Sequence, residues 1–307
     1  MGRHGTQRRV WRTAVPPAIP ETETFVVGGR ALADLRQGWV KVEPGVRLHY
    51  VEAGAGPLVV LLHGFPEFWF SWRHQLDALS RAGFRAVAVD QRGYNLSDKP
   101  DRLGAYRLER LAADVAQTIV GLGAERAAAV VGHDWGGAVA WAFAMQYPQR
   151  LERLAILNAP HPGTFFRHLA NVRQLRKSWY VLFFQLPWLP EALLRANNFA
   201  AIRRQLPEPE YVEALRQPRA LTAAINYYRA MFRVGPGAVR RLRRRFDKPV
   251  LVIWGQQDRF LGPDLAVPDP RLAPRAEVVR LTDAGHWVQL EQPERVSELL
   301  VSFLRRS

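Results

Sequence analysis

The chain has 307 residues, is 48% hydrophobic and carries 43 Lys and Arg against 28 Asp and Glu, a formal net charge of +15. This length is enough for a large buried core and predicts one α/β domain with an inserted subdomain. The absence of cysteine excludes disulfides, thiolate catalysis and cysteine-ligated metals. No metal-ligand spacing and no glycine-rich phosphate loop occur, so we expect neither a metal nor a cofactor.

The N-terminal residues 1–38 form a polar, basic extension that matches no catalytic element and has no apolar core of signal-peptide length. The longest apolar tract, at residues 181–189, is interrupted and too short to span a bilayer. We therefore expect a cytoplasmic protein. The basic run at residues 240–245 is compatible with attraction to nucleic acid or an anionic membrane. Because no DNA-binding motif accompanies it, we interpret the charge as a solvated arginine-rich surface and expect no nucleic-acid partner.

Short apolar runs alternate with helical patterns along residues 39–161 and 247–307. The segment at residues 47–51 predicts a half-exposed strand at an antiparallel edge. The alternation predicts a mostly parallel sheet with helices on both faces. Buried strands are predicted at residues 59–62, 86–89, 127–131, 154–157, 250–254 and 277–281, and helices at residues 70–80, 108–122, 135–147 and 293–304.

The alternation stops over residues 162–246. This stretch is helical in pattern, rich in aromatic residues and free of any clear buried strand. About 85 residues are too many for a plain loop between two strands of one sheet. We therefore predict an inserted helical lid that covers the site and excludes water.

Residues 132–137, Gly-His-Asp-Trp-Gly-Gly, lie between a predicted buried strand and a predicted helix. A strand, a glycine-rich turn and a helix indicate a nucleophile elbow, with Asp134 at the position of the nucleophile. A carboxylate favours attack on a saturated carbon, such as that of an epoxide or a halide, and yields an alkyl ester. The simpler interpretation is that Asp134 only caps the helix. The other motifs of the chain decide between a cap and a nucleophile.

A second glycine-containing turn, His63-Gly64-Phe65-Pro66, follows the predicted strand at residues 59–62. In hydrolases of this architecture the loop here supplies one oxyanion-hole N–H, and the residue after the nucleophile supplies the other. These are Phe65 and Trp135. We assign structural roles to His63, Gly64 and Pro66, and the Phe65–Pro66 bond is a candidate for a cis peptide.

An acid and a base follow strands in the C-terminal part of the chain. Asp258 comes after the strand at residues 250–254, and His286 comes after the last strand. The order Asp134, Asp258, His286 is that of nucleophile, acid and histidine in this fold. His286 would activate water, and Asp258 would orient it. The alternatives lack this setting after a buried strand: Asp247, Asp264, Asp269 and Asp283 for the acid, and His161 and His168 for the base.

Three motifs carry a family resemblance: residues 63–72, 90–94 and 132–137. From about residue 40 onward the chain resembles the epoxide hydrolases of the α/β-hydrolase fold. The resemblance implies an eight-stranded sheet under a helical lid, and conversion of an epoxide and water to a vicinal diol through an ester on Asp134. It also implies that two lid tyrosines, matched by Tyr180 and Tyr228, donate protons to the epoxide oxygen. A phenol suits the basic alkoxide that leaves.

Aromatic residues near these motifs and in the lid predict a hydrophobic pocket, and hence a hydrophobic epoxide as the substrate. A homodimer is a candidate assembly. The predicted pocket residues are Phe68, Trp69, Trp179, Phe184 and Trp287.

Two other functions use the same residues. A haloalkane or haloacid dehalogenase would share the Asp-His-Asp triad. However, haloalkane dehalogenases commonly have Asn or Glu where Phe65 stands. Fluoroacetate dehalogenases have Arg where Trp135 stands and a His-Trp pair where this chain has residues 180–181. A non-catalytic ligand-binding homologue is the third alternative, against which the complete triad and both tyrosines argue.

Overall fold

The computed structural model describes residues 26–27, 30–31, 35–168, 172–233 and 244–306. Its strands form two sheets: an antiparallel pair of two-residue strands and one large sheet. The small pair consists of β1 (Val26–Val27) and β2 (Arg30–Ala31). The strands of the large sheet are β3 (Arg36–Glu43), β4 (Val46–Ala53), β5 (Leu58–Leu62), β6 (Arg85–Val89), β7 (Ala127–His133), β8 (Leu151–Leu157), β9 (Val250–Gly255) and β10 (Ala276–Leu281).

The eight-stranded sheet has the order β10-β9-β8-β7-β5-β6-β4-β3, and it confirms the predicted fold class. The six strands from β10 to β6 are parallel, while β4 and β3 are antiparallel to their neighbours. The prediction that residues 47–51 form an edge strand is wrong, because β4 pairs with β6 on one side and β3 on the other. The edge strand is β3, which begins at Arg36, inside the segment assigned to the N-terminal extension.

Helices cover both faces of the sheet. On one face α2 (Leu108–Gly121) packs against α3 (Trp135–Gln146), and on the other α1 (Arg73–Arg81) packs against the C-terminal helix. Because both faces are covered, every residue of β5 is buried, which explains its uninterrupted apolar sequence. The remaining helices of this part are α10 (Val288–Glu291), α11 (Pro293–Arg305) and the 3-10 turns Trp69–Trp72, Leu103–Tyr106, Pro148–Arg150 and Pro263–Ala266.

Between β8 and β9 the regular elements among the described residues are all helices. Tyr227 joins this part to the sheet domain, because its hydroxyl donates a hydrogen bond to the Arg92 carbonyl at 2.8 Å. In the described part of the chain no helix is long and apolar enough to cross a bilayer. Residues 240–243 of the basic run lie outside the described residues. The helices are α4 (Pro162–His168), α5 (Val172–Lys177), α6 (Trp179–Phe183), α7 (Leu189–Arg203, kinked at residues 196–199), α8 (Pro209–Arg216) and α9 (Ala220–Met231).

Candidate active site

Asp134 occupies the sharp turn between β7 and α3. Its backbone has φ 49° and ψ −119°, a conformation that L-residues rarely adopt. The turn is possible because the residues two positions before and after Asp134 are glycines: a Cβ on Gly136 would overlap the Leu62 carbonyl, and one on Gly132 would overlap the Gly136 carbonyl. The glycines of the motif therefore serve the close approach of backbone segments that presents Asp134 at the end of the sheet.

A backbone N–H reaches the Asp134 carboxylate from the loop after β5. The N–H of Phe65 donates to Asp134 Oδ1 at 2.9 Å. The Phe65–Pro66 peptide is cis, as the sequence suggested. The N–H of Trp135 is that of the first residue of α3, so it has no carbonyl partner within the helix. The two N–H groups selected from the sequence are thus next to Asp134 in space and in sequence.

His286 lies between two carboxylates. Its Nδ1 is 2.7 Å from Asp258 Oδ2, and its Nε2 is 3.6 Å from Asp134 Oδ2. The structure therefore brings together the three residues that the sequence placed at separate strand ends. Because Asp258 is a carboxylate, it accepts a hydrogen bond from Nδ1–H, which leaves Nε2 directed at Asp134.

Asn158, which the sequence patterns did not single out, holds Asp258 in place. Its Nδ2 donates to Asp258 Oδ2 at 2.7 Å, while the N–H groups of Phe260 and Leu261 donate to Oδ1 at 2.7 and 2.9 Å. Burial raises the pKa of Asp258, but His286 and these hydrogen bonds lower it below its usual value. The signal for Asn158 was its position directly after β8, at the same sheet end as Asp134 and Asp258.

The charge of His286 is controlled by the same two carboxylates. Burial by itself lowers the pKa of His286, but Asp258 and Asp134 raise it, and the result is a pKa well above the usual value. The two acidic groups therefore favour the protonated form of His286.

We expect Asp134→Ala to lower the pKa of His286. The substitution removes a negative charge that favours the protonated imidazole, so the imidazole loses its proton at a lower pH than in the wild type. The measurement is a pH titration of the imidazole signals by NMR, with the His286 signal assigned from His286→Gln. Asp264→Ala, which removes an exposed carboxylate, serves as the matched control and leaves the titration unchanged. An unchanged or raised pKa in Asp134→Ala would contradict the expectation.

Two tyrosines face each other above the carboxylate. Tyr180 of α6 and Tyr228 of α9 have ring centroids 5.9 Å apart, and Tyr228 packs edge-on against Trp135 at 5.0 Å. Burial, followed by the charge of Asp134, raises the pKa of both phenols, so both keep their protons at neutral pH. The Trp135 side chain also hydrogen-bonds to Tyr228. Since an indole N–H only donates, the Tyr228 hydroxyl accepts this bond and its own proton is available to a ligand.

Two cavities meet at Asp134, Tyr180 and Tyr228. The smaller has a volume of about 90 Å³ and the larger about 550 Å³. Leu108, Ala138, Pro160, Phe165, Val181 and Met231 contribute to the apolar lining of the smaller cavity, and Phe183, Leu194, Ile202, Phe260 and His286 to the lining of the larger one.

Three of the five predicted pocket residues, Trp179, Phe184 and Trp287, line the larger cavity. Phe68 and Trp69, which the sequence predicted to line the pocket, line neither of these two cavities. Both are buried, and Phe68 packs edge-on against Tyr211 of α8 at 5.7 Å. The backbone N–H of Trp69 donates to Asp90 Oδ1 at 2.9 Å. This hydrogen bond keeps the 3-10 turn of Trp69 in the core.

Comparison with known proteins assigns the family. Residues 57–293 match the family model described as alpha/beta hydrolase fold. The chain is 40% identical over 281 residues to the AB hydrolase superfamily protein YfhM of Bacillus subtilis (85% of this chain, 95% of that protein). It is 39% identical to epoxide hydrolase 3 of Xenopus tropicalis (88% and 78%). The chain belongs to the epoxide hydrolases of the α/β-hydrolase fold.

A solved structure supports the same family. It is a variant of an epoxide hydrolase from Bacillus megaterium in complex with its product, a naphthyloxy-propane-1,2-diol. The two chains are 33% identical, with a TM-score of 0.78, and the match covers 88% of this chain and 100% of that one. The sheet order and the helical insertion described above are therefore those of an epoxide hydrolase fold.

In this epoxide hydrolase, His133 of the elbow contacts the loop of His286. Its Nδ1 is 2.6 Å from Glu67 Oε2, and its Nε2 is 2.8 Å from the His286 carbonyl oxygen. Burial raises the pKa of Glu67, but His133 lowers it, so Glu67 accepts as a carboxylate. A carbonyl also only accepts, so Nε2 of His133 donates to the His286 carbonyl oxygen. Glu67 also accepts from the N–H of Gly64 at 2.9 Å within the loop after β5. His133 therefore connects this loop to the loop that carries His286.

The other histidines near the site have structural contacts. Buried His63 accepts from the Gln91 N–H at 3.1 Å and bonds the Gly64 carbonyl, so it is fully used in the loop after β5. His161, an alternative base, packs against Trp141 at 4.9 Å. The side chain of His168 lies outside the described residues. Among the residues that the structure describes, no group of three or more His, Cys, Asp or Glu could hold a metal.

Proposed function

We propose that this protein hydrolyses a hydrophobic epoxide to a vicinal diol through a covalent ester on Asp134. The observation that carries the proposal is the meeting of Asp134 with Tyr180 and Tyr228 at the junction of two cavities. A nucleophile on one side of a bound oxirane and two proton donors on the other side are what ring opening requires. Membership of the epoxide hydrolase family supports it.

Ring opening uses the resting charges of the site. An oxygen of the Asp134 carboxylate attacks one ring carbon, and the bond between that carbon and the epoxide oxygen breaks. The oxygen takes a proton from Tyr180 or Tyr228, whose raised pKa values keep that proton available. The products of this step are a hydroxyalkyl ester on Asp134 and a phenolate. The charge of Asp134 is then gone.

Ester formation converts His286 into a base. Its elevated pKa depends in part on the Asp134 carboxylate, so the imidazolium loses stabilisation when the ester forms and its proton can restore the phenol. Neutral His286, oriented by Asp258, then takes a proton from water while the hydroxide oxygen attacks the ester carbon. The N–H groups of Phe65 and Trp135 stabilise the oxyanion. Collapse releases the diol and leaves carboxylate, imidazolium and phenol as at the start.

The two cavities indicate the shape of the substrate. A volume of about 90 Å³ accommodates a small substituent on one ring carbon, and about 550 Å³ accommodates a large one on the other. Both cavities have aromatic and aliphatic walls near Asp134. We therefore infer an unsymmetrical epoxide with one bulky apolar or aryl substituent. The naphthyloxy diol bound by the Bacillus megaterium relative has this shape.

The dehalogenase alternative requires N–H donors for a halide near Asp134. The Trp135 side chain is one candidate, but it hydrogen-bonds to Tyr228. This arrangement supports proton donation by Tyr228 rather than halide capture.

The test is a substrate panel with the intact chain: aryl and alkyl epoxides, haloalkanes and fluoroacetate. We expect diol from the bulky epoxides, no halide release, and no diol from Asp134→Ala. Asp264→Ala, which removes an exposed carboxylate, is the matched control and keeps full activity. Halide release without diol would establish the dehalogenase, and no product from any compound would favour a ligand-binding protein.

A further inference from the structure

The lid exposes an unusual concentration of large apolar side chains. Trp179 is 63% exposed and Trp188 is 72% exposed. Contiguous exposed apolar surface on a soluble protein marks an interaction site. Of the nine exposed large hydrophobic residues in the described part of the chain, five fall within 15 consecutive positions, and we call them the lid patch: Trp179, Leu182, Leu186, Trp188 and Leu193.

The lid patch adjoins the opening of the larger cavity. Trp179 belongs to both, since it lines the cavity and contacts Phe183, another lining residue, at 5.8 Å between ring centroids. Exposed Arg176 and Arg259 also line this cavity. An apolar molecule that enters from the lid patch therefore reaches Asp134 through the same cavity without crossing a second surface.

The stretch that contains these apolar residues is rich in positive charge. Residues 162–246 hold 16 of the 43 Lys and Arg but only 4 of the 28 Asp and Glu, so this stretch carries +12 of the net +15. Residues 176–195 contain Arg176, Lys177 and Arg195 and one carboxylate, Glu191. Glu191 is buried in an ion pair with Arg229 at 2.7 Å, so it offers little negative charge to a partner.

We propose that the lid patch docks this protein onto an anionic lipid surface, from which hydrophobic molecules enter the larger cavity. Tryptophan and leucine are the residues that insert at the boundary between headgroups and acyl chains, and arginine and lysine bind anionic headgroups beside them. A solvated arginine-rich surface, the interpretation taken from sequence alone, accounts for the charge but not for two largely exposed tryptophans. Delivery of substrate rests on the proposed function, whereas docking does not.

The first experiment measures sedimentation of the full chain with vesicles of phosphatidylcholine, with and without phosphatidylglycerol. We expect binding to the anionic vesicles, which weakens as salt is raised, and much weaker binding to the neutral ones. The double variant Leu182→Ser/Trp188→Ser should bind anionic vesicles at least about tenfold more weakly than the wild type, because two inserted side chains are lost. Neither residue is among those that line the two cavities.

Trp39→Ser is the matched control. Trp39 is 42% exposed on the edge strand β3, so the variant removes an exposed tryptophan outside the lid and should bind vesicles like the wild type. Equal binding by the double variant, or no binding to anionic vesicles, overturns the proposal. Light scattering tests the alternative that a second copy of this chain binds the lid patch. A dimer that the double variant abolishes, together with no vesicle binding by the wild type, would assign the lid patch to this second copy.

Two further measurements separate docking from catalysis. Asp134→Ala should bind anionic vesicles like the wild type, because docking does not use the nucleophile. The double variant should hydrolyse a water-soluble epoxide at the wild-type rate without vesicles. Binding with no diol from any epoxide would support docking and refute the proposed function, while diol with no binding would refute docking alone.

Discussion

His286→Gln should accumulate a covalent ester on Asp134 when mixed with an epoxide that the wild type turns over. Ring opening uses the Asp134 carboxylate and the tyrosine protons, and glutamine removes neither. Hydrolysis of the ester needs a base within reach of a water molecule beside Asp134, and His286 Nε2, at 3.6 Å from Asp134 Oδ2, is the group in that position. Loss of a general base slows such a step by about a hundredfold to ten-thousandfold.

Intact-protein mass spectrometry is the measurement for this variant. The mass should rise by that of one epoxide, and peptide mapping should place the increase on the peptide that contains Asp134. The diol burst should be smaller than one equivalent of enzyme, because the product remains attached. His74→Gln is the matched control: it changes a histidine of α1, outside the site, and should show neither adduct nor loss of turnover. An inactive His286→Gln that forms no adduct would contradict the covalent route.

Tyr180→Phe/Tyr228→Phe should block the preceding step. Each phenol donates to the leaving oxygen, and each is held protonated by burial and by the charge of Asp134. When both donors are removed, the alkoxide forms in an apolar cavity with no group to protonate it. We therefore expect ring opening to slow by about a hundredfold to ten-thousandfold. Each single variant should retain part of the rate, because one phenol remains.

Single-turnover kinetics distinguishes this effect from a slower ester hydrolysis, since the double variant should form the ester at the same slowed rate even when His286→Gln is added to it. Tyr227→Phe is the control from the same helix. Its hydroxyl is buried and donates to the Arg92 carbonyl, so its loss affects folding stability rather than the rate of ring opening. A double variant that still alkylates Asp134 rapidly would show that another group protonates the oxygen.

The hydrogen bonds that orient the candidate catalytic groups join residues that lie far apart in the sequence. The indole of Trp135, at the start of α3, hydrogen-bonds to Tyr228 of α9. Asn158 is a single residue after β8, and only the fold brings its amide to 2.7 Å from Asp258. The Glu67–His133 pair connects two motifs that are 66 residues apart. Each of these contacts orients a reacting group through a partner that is distant in sequence.

The sheet, and the meeting of Asp134, Asp258 and His286 at one end of it, could be predicted because both depend on local rules. Buried parallel strands are continuous apolar runs, such as Leu58–Leu62, and their carboxyl ends meet at one edge. Polar residues that directly follow such runs, here Asp134 and His286, therefore lie close together at that edge. The strand β3 was missed because an edge strand with one exposed face leaves a weak pattern, and its neighbour β4 was mistaken for the edge.

Sequence alone determined which residues the proposed chemistry uses, since an aspartate at a glycine-lined elbow and the order of acid and histidine follow from residue identity and chain position. The tertiary structure decided which aromatic residues line the cavities: Phe68 and Trp69 turn into the core beneath α8, whereas Trp179 opens onto the larger cavity. It also decided that lid tryptophans are exposed beside positive charge. Aromatic residues favour burial in any apolar environment, so their sequence does not say whether that environment is core, cavity or a partner; only packing does.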